Sequence, residues 1–270
     1  MTTLTTDEVL AQQDTHTSLS WAVLDTLAVA RRNLIALVRT PTTLMFSTVQ
    51  PIIFVLMFRY VFGGAIKVPH GTYVDYLMPG IFVQTVTFGA INTGVGLATD
   101  LQTGLIERFR SLPMARSAVL GGRTLADMVR NVGVVILLVV MGYIVGFRVT
   151  TNVPEFLVAI ALLLLFGLAM SWVVALIGLA TGNAEAAQAA TFPIMALLVF
   201  ASNAFVPTRS MPRLLRAYAN HQPVSATISA VRALSNGGPI LEHLAVAVAW
   251  AIGIIAVFAV LATQRYRRAA

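Results

Sequence analysis

The sequence predicts an all-α integral membrane protein with six transmembrane helices, and three observations support that class. The 270 residues are 57% hydrophobic and only 11% charged, whereas a soluble domain carries about 25% charged residues. Six segments stay apolar for about 20 residues, the length that a helix needs to cross a bilayer. None of the six alternates apolar and polar residues as a barrel strand does, so helices are expected.

The chain before the first apolar run divides into a tail and a helix. Residues 1–18 are polar and rich in Thr and Gln, which predicts a disordered cytoplasmic tail. Residues 19–40 are expected to form a connecting helix that lies on the membrane. Asp25, Arg32 and Arg39 recur every seven residues and give it one narrow polar stripe. A seventh, poorer span is the alternative for this segment.

The six-helix membrane domain is expected over residues 41–270. Its predicted spans are residues 43–62, 76–98, 128–147, 156–180, 186–206 and 244–263. The first span has Arg59 near its end, the second carries no charge, and the third begins with Arg130 and Asn131. The fourth is the most uniformly apolar, and the fifth follows it after a very short polar turn.

Residues 207–240, between the last two spans, are irregular and contain several prolines. Pro212 and Pro223 each suit the first turn of a short helix, which predicts helices over residues 211–219 and 224–234, too short to span. A helical hairpin that re-enters the outer leaflet fits this pattern, because helical backbone satisfies its own hydrogen bonds there. An ordinary surface loop is the alternative.

Arginine placement orients the chain in the membrane. Eleven of the 18 basic residues lie in the N-terminal lead, the loop around residues 99–130, the short turn and the tail, and six lie in the opposite connections. Both termini and the charged loop of residues 99–127 are therefore expected in the cytoplasm, in a multi-pass protein of the cell membrane. The net charge of +7 fits the anionic cytoplasmic leaflet better than a nucleic-acid partner.

Several classes of function are disfavoured by what the sequence lacks. Lys67 is the one lysine, and Val68 follows it, so the chain has no P-loop for ATP hydrolysis. The four histidines have no ligand spacing and there is no cysteine, so neither a catalytic nor a metal site is predicted. The uncharged parts of the spans contain no Asp or Glu, which disfavours an ATPase-independent secondary carrier. Such a carrier, or a channel, is the alternative function.

Polar residues within the spans are candidates for a substrate path. The predicted path residues are Gln50, Arg59 and Asn92. Arg59 lies about one turn from the outer end, where it could contact a polar substrate group or extend to the lipid headgroups. Gln50 and Asn92 could instead join helices by hydrogen bonds. That role is predicted for the other polar span residues, which include Gln84, Asn131, Gln188, Ser202 and Asn203.

Two motifs resemble segments of a known family. The segment ERFRSLPMARSAVLGGRTLAD resembles the cytoplasmic coupling segment of ABC type-2 export permeases at Glu107, Arg108, Arg110, Leu112-Pro113 and Arg116. In HQPVSATISAVRAL, Gln222-Pro223 and Arg232-Ala233-Leu234 resemble the segment before that family's last span. From residue 21 to residue 268 the chain resembles, in particular, the daunorubicin/doxorubicin-resistance permeases of actinobacteria.

The resemblance implies a function and its partners. The chain would be the membrane permease of an ATP-driven exporter of hydrophobic drugs, antibiotics or lipid-like metabolites, taken from the cytoplasm or the inner leaflet. It would bind no cofactor itself, since ATP and Mg belong to separate cytoplasmic ATPase subunits. A second copy or a sister permease would complete the pair within the membrane lipids. The residues implied to dock into the ATPase are Glu107, Arg108, Phe109, Arg110, Leu112, Pro113 and Met114.

Overall fold

The computed structural model describes residues 19–39, 41–66, 68, 71–104 and 116–269, and most of them are helical. The helices are α1 (Leu19–Arg39), α2 (Pro41–Leu56), α3 (Tyr73–Gly89), α4 (Ile91–Gln102), α5 (Arg116–Val145), α6 (Val153–Thr181), α7 (Ala184–Phe200), α8 (Arg213–His221), α9 (Pro223–Asn236) and α10 (Ile240–Ala269). A π-helix, Met57–Phe62, extends α2. The described residues contain no strand, and the predicted all-α class is confirmed.

Apolar helices lie at all six predicted spans, but their lengths differ. The stretches that are long and apolar enough to cross a bilayer are Tyr73–Gln102, Gly121–Val145, Val153–Thr181 and Ile240–Tyr266. The first of these combines α3 and α4. Two further apolar helices, Thr48–Phe62 and Ala184–Phe200, are shorter. Four candidate spans and two short apolar helices therefore make up a multi-pass membrane protein.

Helix boundaries differ from the predicted spans at several places, of which the start of α5 and the end of α7 are two. α5 begins at Arg116 instead of residue 128, so helix continues through part of the charged loop of residues 99–127. Arg123 and Asp127, in this part of α5, pair with side chains of α4, as described below, and do not need the solvent of a loop. α7 ends at Phe200 instead of residue 206, because a turn follows it over residues 201–206.

α6 lies at the centre of the helix packing. It contacts α3, α4, α9 and α10, and Leu163, Phe166 and Met170 are almost fully buried on it. The outward faces of the long helices carry large apolar side chains, such as Ile144 and Leu157, which are 72% and 58% exposed. Exposed apolar faces of this kind fit contact with lipid.

α4 and α6 touch each other through glycine. A Cβ atom at Gly178 would lie 2.1 Å from the carbonyl oxygen of Gly94, and one at Gly94 would lie 2.4 Å from the carbonyl oxygen of Val174. No side chain fits at either position. The two backbones are therefore in direct contact, as at the small-residue crossings of membrane helices.

α1 forms at the predicted amphipathic segment of residues 19–40 and packs on α5. Val29 and Ala30 are buried, and a Cβ atom at Gly122 would lie 2.6 Å from Cβ of Val29. Leu24 and Leu27 remain about half exposed. α1 is therefore held to α5 on one side and leaves apolar side chains free on another. The predicted tail of residues 1–18 lies outside the described residues.

The two short helices predicted before the last span are present as α8 and α9. Pro212 precedes α8, and Pro223 begins α9, where the missing proline amide leaves no donor unpaired. Val224, Ile228 and Val231 are fully buried in the core. Burial of this kind in α9 differs from what an ordinary surface loop, the alternative for this segment, would show.

Candidate functional site

A cavity of about 380 Å³ lies between α2, α3, α4, α5 and α7. Its size falls within the range of small-molecule sites, about 300–1,000 Å³. The lining residues are Gln50, Pro51, Gln84, Thr85, Phe88, Gly89, Ile91, Asn92, Arg130, Asn131, Val134, Gln188 and Phe192. The wall combines apolar and carboxamide side chains, and we take this cavity as the candidate binding site.

Two of the three predicted path residues line the cavity. Gln50 on α2 and Asn92 on α4 are both part of its wall. Arg59 is not among the lining residues and lies on the π-helix, with its guanidinium carbon 5.7 Å from the ring centre of Tyr60. Its Nε atom is buried without a hydrogen-bond partner among the described residues.

Sequence reasoning missed three further carboxamides of the wall. Gln84, Asn131 and Gln188 were expected only as bonds between helices, yet the structure brings them together with Gln50 and Asn92. The signal that could have identified them is the recurrence of a carboxamide in four separate predicted spans. A shared depth in the membrane would place such side chains near one another.

Arg130 also lines the cavity, and its charge is neutralised within the protein. Its side chain is 5% exposed, and its Nη1 lies 3.0 Å from Oδ1 of Asp127. The other carboxylate oxygen of Asp127 accepts a hydrogen bond from the Thr93 hydroxyl, which lies 3.4 Å from the hydroxyl of Ser171. This polar chain joins α4, α5 and α6 beside the cavity.

The hydrogen bonding of the span Tyr73–Gln102 is interrupted next to Arg130. The Thr93 amide donates to the carbonyl of Ala90 at 2.9 Å, so the Gly89 carbonyl lacks the amide donor of a regular helix. Nη2 of Arg130 donates to the Gly89 carbonyl at 2.7 Å. A side chain from α5 thus supplies the hydrogen bond that the interruption removes.

An ion pair joins α4 directly to α5. Nη1 of Arg123 lies 2.5 Å from Oδ2 of Asp100, and Gly96 makes room for it, because a Cβ atom there would overlap the Arg123 guanidinium. The helix packing therefore pairs three residues of the predicted charged loop, Asp100, Arg123 and Asp127. The predicted docking residues Glu107, Arg108, Phe109, Arg110, Leu112, Pro113 and Met114 lie outside the described residues.

Arg232, from the motif before the last span, fastens α9 to α3. Its guanidinium carbon lies 3.8 Å from the ring centre of Tyr76. Its Nη2 donates to the carbonyls of Tyr76 and Asn203 at 3.0 and 3.2 Å. The Tyr76 hydroxyl donates to the same Asn203 carbonyl at 2.9 Å. One arginine therefore holds together α3, α9 and the turn after α7.

Gln222, from the same motif, holds the end of α7. Its Nε2 donates to the carbonyls of Leu198 and Ala201 at 2.8 and 3.0 Å. Carbonyls at the end of a helix lack an amide donor from the helix itself. The side chain of Gln222 thus ties α7 to the start of α9.

We expect Arg232→Ala to loosen the attachment of α9. Two carbonyls would lose a charged donor, at about 1.5–3 kcal/mol for such a bond, and the Tyr76 ring would lose its stacked cation. The thermal midpoint of the detergent-purified permease should fall accordingly. Arg213→Ala removes an exposed arginine from α8 and should leave the midpoint unchanged. Equal midpoints for the two variants would contradict the role assigned to Arg232.

Comparison with known proteins identifies a family model and several relatives. The model of the ABC-2 type transporter family matches residues 25–235, a range that includes every residue lining the cavity. The daunorubicin resistance ABC transporter permease protein DrrB1 of Streptomyces coeruleorubidus is 32% identical over 246 residues, which cover 91% of this chain and 87% of that protein. The probable doxorubicin resistance ABC transporter permease protein DrrC of Mycobacterium tuberculosis is 29% identical over 248 residues, 92% and 90% of the two chains. The putative transport permease ycf38 of Porphyra purpurea is 25% identical over 225 residues, 81% and 77% of the two chains.

Proposed function

Because the chain belongs to the ABC-2 type transporter family and is the membrane permease of an ABC exporter, not its ATPase, we propose that it moves hydrophobic molecules outward across the cell membrane. The proposed cargo comprises hydrophobic drugs or antibiotics and lipid-like metabolites, taken from the cytoplasm or the inner leaflet. The observation that carries the proposal is the cavity between α2, α3, α4, α5 and α7.

The lining and size of the cavity support a hydrophobic cargo. Phe88, Ile91, Val134 and Phe192 supply apolar surface, and about 380 Å³ is enough for a drug-sized molecule. The names of the relatives from Streptomyces and Mycobacterium refer to daunorubicin and doxorubicin resistance. Their likeness to this chain supports a drug-like cargo.

The proposed topology has six spans, with both termini in the cytoplasm. It counts the short apolar helices Thr48–Phe62 and Ala184–Phe200 together with the four longer candidates, and the distribution of arginine supports the orientation. α1 would lie at the interface, as the half-exposed Leu24 and Leu27 suggest. α8 and α9 would re-enter the outer leaflet, a proposal that the burial of α9 supports.

An ABC permease works with an ABC ATPase subunit, and we propose a finer composition. Two cytoplasmic ATPase subunits, which hold ATP and Mg²⁺, would bind a pair of permeases. The second permease would be a copy of this chain or a sister permease. The missing P-loop supports a separate ATPase chain, because this chain cannot bind ATP phosphates by that motif.

The proposed ATPase contact lies between α4 and α5. It consists of Glu107, Arg108, Phe109, Arg110, Leu112, Pro113 and Met114. The helices on either side of this segment are joined by the Asp100–Arg123 ion pair and the Thr93–Asp127 hydrogen bond. A push from the ATPase on the segment would therefore move both helices together, which suits rigid-body rocking between inward and outward states.

Glu107→Ala combined with Arg110→Ala is expected to uncouple the exporter without unfolding it. Loss of the charged contacts should reduce ATP-dependent uptake into inside-out vesicles to background, while the permease is still recovered as a folded protein. Arg209→Ala combined with Arg213→Ala removes two exposed charges from another segment and serves as the control. Undiminished uptake by the Glu107/Arg110 variant would rule out the coupling role.

The proposed function is tested with permease and ATPase subunit reconstituted together in liposomes. ATP should drive transport of daunorubicin, N-acetyldaunorubicin or a fluorescent phosphatidylethanolamine analogue, at a rate several-fold above that of the permease alone. Transport of any of these compounds that requires neither ATP nor the ATPase would contradict the proposal.

A further inference from the structure

The cavity also limits the charge of the molecule that it can bind. We infer that cargo binds there as an uncharged molecule that donates hydrogen bonds, and that a cationic form of the same molecule binds more weakly. The inference rests on the proposed function, because it assumes that this cavity holds cargo.

Carboxamides make up most of the polar wall. The carboxamide residues of the lining are Gln50, Gln84, Asn92, Asn131 and Gln188, and no Asp or Glu lines the cavity among the residues that the structure describes. A carboxamide can donate and accept hydrogen bonds but carries no charge. A cation that enters the cavity therefore loses hydration without gaining a partner of opposite charge.

The charge of Arg130 does not change the cost of moving a cation into the cavity. Its Nη1 is 3.0 Å from one oxygen of Asp127, and the Thr93 hydroxyl donates to the other oxygen. Both carboxylate oxygens of Asp127 are thus engaged. The charge of Asp127 is already balanced by an arginine whose side chain is 5% exposed, so it is not free to neutralise a cargo cation.

A buried carboxamide oxygen, which can only accept a hydrogen bond, indicates that the cargo is a hydrogen-bond donor. Gln84 is 3% exposed, and its Oε1 has no hydrogen-bond partner among the described residues. The hydroxyl oxygen of Thr85 is also buried without a hydrogen-bond partner among the described residues. Both residues line the cavity. A buried polar atom without a partner is costly. A hydroxyl or amide N–H group on the cargo would supply the missing hydrogen bond.

The test compares two compounds that differ in the charge of one nitrogen. Daunorubicin carries a protonated amine, and N-acetyldaunorubicin carries an uncharged amide at the same position. Each is titrated into the permease–ATPase complex in nanodiscs, and the concentration that gives half-maximal stimulation of ATP hydrolysis is measured. For the wild-type complex we expect the uncharged compound to act at a concentration at least about tenfold lower.

Two glutamate variants test whether the preference for the uncharged compound arises in the cavity or from partitioning of the compounds into lipid. Gln188→Glu adds a carboxylate at an exposed position on the cavity wall, and Gln264→Glu adds one at an exposed position of α10, outside the lining. We expect Gln188→Glu to reduce the preference for the uncharged compound by about tenfold, and Gln264→Glu to leave it unchanged. Gln84→Met should weaken the response to N-acetyldaunorubicin by about threefold to tenfold, as the loss of one hydrogen bond predicts.

An equal or stronger response of the wild type to daunorubicin would overturn the inference. So would an unchanged preference in Gln188→Glu, or the lack of a response to either compound. The proposed function is judged separately by ATP-driven transport. Transport of both anthracyclines without a charge preference defeats the inference alone, whereas the absence of ATP-driven transport for the phospholipid analogue and both anthracyclines defeats the proposed function.

Discussion

Gly178→Ala is expected to leave little folded permease. The added methyl carbon would lie 2.1 Å from the carbonyl oxygen of Gly94 and 2.8 Å from its carbonyl carbon. Both atoms belong to the backbone of α4, so only separation of α4 from α6 relieves the overlap. Overpacking in a packed interior costs about 1–3 kcal/mol and occasionally more. We expect a cost of at least about 3 kcal/mol here, because no side chain can rotate away.

The measurement is the monodisperse fraction and the thermal midpoint of the detergent-purified protein. Gly133→Ala and Gly253→Ala are the matched controls, because both glycines are helical and a Cβ atom at either would meet open space. Alanine favours a helix over glycine by about 0.5–1 kcal/mol, so the controls should be at least as stable as the wild type. Wild-type behaviour of Gly178→Ala would show that α4 and α6 are not in contact at this point.

Arg130→Met is expected to destabilise the permease by about 3–5 kcal/mol, the cost of removing one partner from a buried ion pair. Asp127 would keep a charge without its partner, and the Gly89 carbonyl would keep only the longer hydrogen bond from the Asn92 amide, at 3.4 Å. The readout is the midpoint of thermal or denaturant unfolding in detergent. Methionine preserves most of the side-chain volume, so the loss would report the charge and the hydrogen bonds.

The double variant Arg130→Met/Asp127→Asn tests whether the loss of stability in Arg130→Met comes from the unpaired charge of Asp127. The amide introduced at position 127 can still accept a hydrogen bond from the Thr93 hydroxyl but carries no charge. The double variant should therefore be more stable than Arg130→Met alone, since neutral replacement of a buried pair costs far less than breaking it. A double variant that is less stable than the single one would show that the charge of Asp127 is not what makes Arg130 necessary.

Composition and hydrophobic runs predicted the helical membrane class and the position of every apolar helix. Those features depend on local sequence, and so do the proline-started helices α8 and α9. The start of α5 at Arg116 was not predictable in the same way. Charged residues between apolar runs resemble a solvated loop until their partners are known. The partner of Arg123 is Asp100, which lies on another helix.

The candidate site was predictable only in part, for a related reason. Gln50 and Asn92 were singled out as polar residues in apolar spans, and they line the cavity. Arg130 was counted among the cytoplasmic arginines, because the predicted span began at residue 128 and left Asp127, its partner one turn earlier on α5, in the loop. The contacts of Arg232 are harder still to predict, because its hydrogen-bond acceptors are backbone carbonyls, which every residue possesses.

The interruption of the span Tyr73–Gln102 at Gly89 does not depend on a missing amide, as an interruption by proline does. A proline interrupts a helix permanently, because it has no amide to donate. At this position the Thr93 amide exists, but it donates to Ala90, and the guanidinium of Arg130 takes its place at Gly89. The interruption therefore rests on a side-chain contact with α5, and not on the covalent structure of the backbone.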